Sequence, residues 1–81
     1  MTEQAIQRKL IKQLEAEGYY VIKLTVTNKT GIPDLIALKP NEVRFIEVKR
    51  PNGKVSKIQE YRIKELRSLG FTADVYRGEN K

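Results

Sequence analysis

The second half of the chain reads as strand, turn, helix, strand, and that succession constrains the fold more than any other feature. Val43 to Lys49 (Val-Arg-Phe-Ile-Glu-Val-Lys) is rich in β-branched and aromatic residues and reads as a strand. The turn Arg50-Pro51-Asn52-Gly53-Lys54 follows, Ser56 caps a helix to about Leu69, and Gly70 ends it. Phe71 to Arg77 supplies a last strand, and Gly78 to Lys81 is expected to fray. A strand–helix–strand passage within one sheet implies a right-handed crossover and a parallel strand pair. The chain has 81 residues, so it is expected to form one domain, 1–81, that buries only about 60–65% of the surface of its unfolded chain.

The first half adds an antiparallel start. Thr2 can cap a helix to about Glu17, ended by Gly18, with Ile6, Leu10 and Leu14 recurring every four residues as its buried stripe. Tyr19 to Val26 reads as a strand, and Thr27-Asn28-Lys29-Thr30-Gly31 as a polar loop. Asp34 to Leu38 is a short apolar strand, joined through Lys39-Pro40-Asn41-Glu42 to Val43–Lys49 as a hairpin. The fold class is therefore α/β: an α-β-β-β-α-β order with a mixed sheet flanked by helices.

Composition removes several chemistries. With no Cys and no His, the chain has no disulfide, no thiolate or imidazole metal site, and no imidazole acid–base catalyst. A metal would have to sit among oxygens, which favours Mg²⁺, Mn²⁺ or Ca²⁺ over zinc. Sixteen Lys and Arg against ten Asp and Glu leave a net charge of +6, which favours a polyanionic partner such as nucleic acid over a merely soluble basic protein. No run of membrane-spanning length and no signal-peptide core is present, so a soluble cytoplasmic protein of phage or bacterial origin is expected.

Within this frame stand Gly31-Ile32-Pro33-Asp34 and, thirteen residues after Asp34, the Glu47 of Glu47-Val48-Lys49. Alternation puts Phe45, Glu47 and Lys49 on one strand face, with Glu47 and Lys49 about 7 Å apart, and Ile46 and Val48 on the other. If the hairpin aligns Asp34 with Glu47, two carboxylates meet at one sheet end and require a cation or a proton between them. Taken alone, Glu-x-Lys is an ordinary strand salt bridge. The full arrangement on a hairpin in a basic chain is the outline of a metal-dependent nuclease.

Two further residues have double readings. Glu3 falls near the centre of the Ile6–Leu10–Leu14 stripe, where it could supply a third acid or simply favour the helix dipole from the first turn. Gln59 completes a Ser56-x-x-Gln59 capping box yet projects partly toward the sheet, where it could orient a water. Lys29, Arg50 and Lys54 lie in turns flanking the expected site and are candidate phosphate contacts. Tyr19 and Tyr20 could stack on bases, or serve only in strand packing.

These residues resemble the PD-(D/E)xK nuclease superfamily, and more narrowly a stand-alone VRR-Nuc domain (virus-type replication-repair nuclease). The motifs are Glu3 in the first helix, Gly31-Ile32-Pro33-Asp34-Leu35, Glu47-Val48-Lys49, and Gln59 in the second helix. The resemblance implies a restriction-endonuclease-like core and Mg²⁺ or Mn²⁺ as cofactor. It implies Asp34 and Glu47 as metal ligands with the Val48 carbonyl and Glu3, Lys49 as the catalytic lysine, and Gln59 as a catalytic accessory. It further implies a homodimeric, structure-selective DNA endonuclease similar to four-way-junction resolvases. Competing expectations are a non-enzymatic basic DNA-binding module or degenerate nuclease subunit, and a general nicking or end-processing nuclease.

Overall fold

Thr2 takes an extended backbone and its hydroxyl accepts the Ala5 N–H at 3.1 Å, opening helix α1 (Glu3–Ala16) in the computed structural model, where residues 1–78 are described. Gly18, at φ 95°, ends the helix, and the Tyr19 N–H returns to the Leu14 carbonyl at 3.0 Å. Strands β1 (Tyr20–Lys23), β2 (Leu35–Lys39) and β3 (Glu42–Lys49) follow, then α2 (Lys57–Ser68) and β4 (Thr72–Arg77). The sheet order is β1-β2-β3-β4, antiparallel through β3, with β4 parallel to β3 as the crossover requires. Asn41 turns the β2–β3 hairpin at φ 63°, a conformation asparagine tolerates.

The two sheet faces differ in chemistry. Ile6, Leu10 and Leu14 of α1 pack on Leu35 and Ala37 of β2 and Ile46 and Val48 of β3, and this is the apolar core. On the opposite face α2 lies against β4, burying Ile63 and Ala73. Glu47 projects toward that second face and is 2% exposed.

Several boundaries depart from the sequence-based expectation. The first strand was expected over Tyr19 to Val26 but spans only Tyr20–Lys23. Tyr19 is used to close α1, while past Lys23, paired with Leu35, only the Leu24 N–H continues, to the Asp34 carbonyl at 2.8 Å. Val26 is 93% exposed, since the Gly31–Pro33 turn carries the partner strand away. Asp34 was expected to begin β2 but stands just before it. Glu42 belongs to β3, and the last strand starts at Thr72, leaving Phe71 outside it. Gly78 was expected to fray, yet its N–H donates to the Lys49 carbonyl at 3.3 Å. The rest of that expected tail, 79–81, lies outside the described residues.

Two glycines test how the turn before Asp34 is held. Gly31 sits at φ 83°, and a Cβ there would come 2.8 Å from Ile58 Cγ1 and 3.0 Å from the Ile58 backbone. Gly70 sits at φ 94° with open space around it. Gly70→Ala should cost about 1 kcal/mol from backbone conformation alone, and Gly31→Ala at least about 1 kcal/mol more because α2 must also move. Urea unfolding of both variants checks this, and equal losses would contradict the close packing of α2 on the turn.

Candidate active site

Three segments meet at Glu47: the turn carrying Asp34, strand β3 itself and helix α2. The β2–β3 register pairs Leu35 with Ile46, so one step further Asp34 faces Glu47, and two steps further Pro33 faces Val48. Proline has no N–H, so at that step nothing donates to the Val48 carbonyl. The Val48 N–H is satisfied separately, since Asp34 Oδ2 accepts it at 2.9 Å. The N–H and C=O of a strand residue point to the same side, so the Val48 carbonyl faces Pro33 without a ladder partner.

The turn that delivers Asp34 is tethered from α2. Arg62 Nε donates to the Thr30 carbonyl at 2.9 Å, and Ile58 packs against Gly31. Pro33 is buried, which fixes the backbone immediately before the acid.

Glu47 Oε2 is held twice, by Gln59 Nε2 at 3.1 Å and by Lys49 Nζ at 3.6 Å. Its Oε1 is buried with no hydrogen-bond partner. Burial pushes the Glu47 carboxyl up to about 7, and the neighbouring Asp34 charge adds to the rise, while Lys49 opposes it. An unpartnered buried carboxylate oxygen costs free energy unless a proton or a cation meets it. Asp34 and Glu47 Oε1 offer carboxylate oxygens with the Val48 carbonyl next along the strand, and oxygen donors of this kind fit a hard divalent cation.

Gln59 both caps α2 and reaches toward the sheet. Its Oε1 accepts the Ser56 N–H at 2.9 Å while the Ser56 hydroxyl accepts the Gln59 N–H at 3.2 Å, completing the capping box. The amide nitrogen is thereby left pointing at Glu47. Glu3 sits half-buried in the first turn of α1, its Oε2 against Gly53, 3.4 Å from where a Cβ would stand. Among the described residues no three acids are grouped closely enough to share one ion, so Glu3 does not join Asp34 and Glu47 directly. The reason is topological: α1 covers the face opposite Glu47, and Glu3 meets the turn at the sheet end instead.

Lys29, Arg50 and Lys54 are exposed, as phosphate contacts need to be. A residue not anticipated as functional organises two of them. Arg77 Nη1 donates to the carbonyls of Arg50, at 3.2 Å, Pro51 and Gly53, gathering the turn that follows Lys49. Arg62 was likewise one cation among many. Neither role had a sequence signal, because a guanidinium that seeks backbone carbonyls across the fold has no characteristic spacing.

The VRR-NUC domain family model matches residues 1–80. UPF0102 proteins of Thermotoga petrophila and Thermotoga maritima are each 34% identical over 70 residues, which is 86% of this chain. The chain spans about 65% of the length of these relatives. A solved VRR-NUC domain superposes with a TM-score of 0.84 at 29% identity, covering 98% of this chain and 87% of that one. A second, a VRR-NUC domain protein, gives 0.78 at 23% identity over 96% and 79% of the two chains, a likeness of fold. With the match running from the first helix through the last strand and the Asp34–Glu47–Lys49 cluster inside it, the chain belongs to the VRR-NUC family of nuclease domains.

Proposed function

We propose that this chain is a divalent-metal-dependent DNA endonuclease that hydrolyses phosphodiester bonds. The observation that carries this reading is the buried, unpartnered Glu47 Oε1, set beside Asp34 and with Lys49 Nζ 3.6 Å from the other Glu47 oxygen. Asp34, Glu47 and the Val48 carbonyl would hold the ion, with Glu3 reaching it only through water. When bound there, Mg²⁺ or Mn²⁺ would supply Lewis-acid polarisation of the phosphodiester and of a water, and charge stabilisation at the leaving oxygen. Lys49 places a positive charge where the nucleophilic water and the transition-state anion would lie. Gln59 orients the Glu47 carboxylate through a hydrogen bond, and Lys29, Arg50 and Lys54 contact flanking phosphates.

The finer proposal is a homodimer selective for branched DNA, resembling a four-way-junction resolvase. Two considerations support it. A domain this small has little room for base readout, so recognition falls to backbone and shape. A twofold dimer would present two sites for paired nicks. A particle of monomer mass that cuts linear duplex as readily as junction, flap or nicked DNA would instead identify a general nicking enzyme.

Cleavage should require Mg²⁺ or Mn²⁺ and vanish with EDTA. Asp34→Ala and Lys49→Ala should each lower kcat by at least about 10²-fold while DNA affinity changes little. Gln59→Ala should lose roughly 10- to 100-fold in metal affinity or rate, as loss of an orienting contact does. Wild-type rates in Asp34→Ala would sink the mechanism. EDTA-insensitive DNA binding with no cleavage in any cation would favour a basic binding module.

Protons and metal compete for Glu47, which gives a pH test. In metal-free protein the folded-state pKa of about 7 exceeds the ordinary 4.5, so the folded form binds more protons between those values. The contribution of Glu47 is therefore most favourable below pH 4.5 and declines as pH rises to 7, by about 3 kcal/mol in total. The stability difference between wild type and Glu47→Gln, measured by urea unfolding in EDTA, should shift against wild type across that window. A pH-independent difference would contradict the buried, unpartnered carboxylate.

A further inference from the structure

The sheet face that carries Glu47 is covered on one half only. α2 lies over the β4 side, and Phe71 meets Phe45 edge to face at 5.9 Å. Toward β1 the same face continues in two cross-strand rows, Tyr20–Leu38–Val43 and Ile22–Ile36–Phe45, with Asp34 and Glu47 in the next row along. No charged side chain stands in the first two rows. Tyr20 is 70% exposed and Ile22 41%, while Leu38 and Ile36 behind them are half-buried.

The adjacent tyrosine shows what is absent at Tyr20. Tyr19 turns to the α1 side, where its hydroxyl bonds Glu42 and the charges of Lys39 and Arg44 sit over its ring at 4.2 and 5.3 Å. Strand packing therefore accounts for Tyr19. It does not account for a large aromatic ring held outward on a rigid strand one residue later.

We infer that the open β1–β2 half of this face binds an unpaired stretch of the DNA strand being cut, with the Tyr20 ring stacked on a base. The inference rests on the nuclease reading of Asp34 and Glu47. From strand spacing, Tyr20 lies about 17 Å from Glu47, two rows along and two strands across, which is the span of a few nucleotides. An apolar floor suits base faces and leaves the phosphates outward, toward solvent and the exposed Lys29, in a chain of net charge +6. Base faces in a duplex are covered by their neighbours, so only unpaired nucleotides can stack on the ring. A second copy of the chain is a poorer occupant. The exposed apolar area of Tyr20 and Ile22 is on the order of 200 Å², against about 800 Å² per partner in a stable interface. A partner seated there would also crowd the approach of DNA to Asp34 and Glu47.

The test measures binding in EDTA, separately from cleavage, with an oligothymidylate and a blunt duplex of equal length as probes. Tyr20→Ala should weaken oligothymidylate binding by roughly 5- to 150-fold and change duplex binding by less than about twofold. Tyr20→Phe should bind as wild type. The chain has no Trp, so Tyr20→Trp introduces a single indole whose fluorescence should quench on adding the oligothymidylate. Unchanged oligothymidylate affinity in Tyr20→Ala, or equal losses for both probes, would overturn the inference. So would a fall from dimer to monomer mass in Tyr20→Ala by light scattering, which would assign the face to a second copy. Intact stacking with no metal-dependent cleavage would remove the nuclease reading and leave the platform standing.

Discussion

A carboxylate buried in a domain of this size has to be compensated, and the rest of the structure is arranged around that requirement at Glu47. Its strand is central, with β2 on one side and β4 on the other, so the side chain cannot escape to water along an edge. One oxygen is met by Gln59 and Lys49, and the other is left without a partner. Burying charge without full pairing destabilises a fold unless function retains it. Among the described residues Glu47 is the one buried acid, and Asp34, Lys49 and Gln59 converge on it.

Convergence depends on an interruption in the β-ladder. Pro33 has no N–H to offer the Val48 carbonyl one step past Asp34, and the Val48 N–H donates to the Asp34 carboxylate in place of a ladder carbonyl. The interruption would be loose were the turn not clamped. Arg62 and Ile58 clamp it from α2, and the same helix supplies Gln59 from its first turn. One helix thus fixes both the acid that enters by a turn and the acid that enters by a strand. On the far side Arg77 gathers the turn after Lys49, so the lysine is also held from both ends.

Much of this was readable from residue order. Helix stripes, caps and the strand–helix–strand passage determine topology through local periodicity, and all three survive. Asp34, Glu47 and Lys49 were readable because period-two alternation and a hairpin bring charges to one end. Strand length was less accessible, since Tyr19 to Val26 has strand composition throughout and only the turning away of its partner shortens it. Gln59 defeated a choice between capping and site because an amide has two ends, and each serves one purpose. The place of Glu3 depended on which sheet face α1 covers, and that is a property of packing alone.

A cation held by Asp34, Glu47 Oε1 and the Val48 carbonyl would answer the unpartnered oxygen. Crystals soaked in Mn²⁺ and measured at the manganese absorption edge should show one strong anomalous peak within coordination distance of all three groups, lost in Glu47→Gln crystals. No peak at that position, or a peak that persists without the Glu47 carboxylate, would contradict such a site.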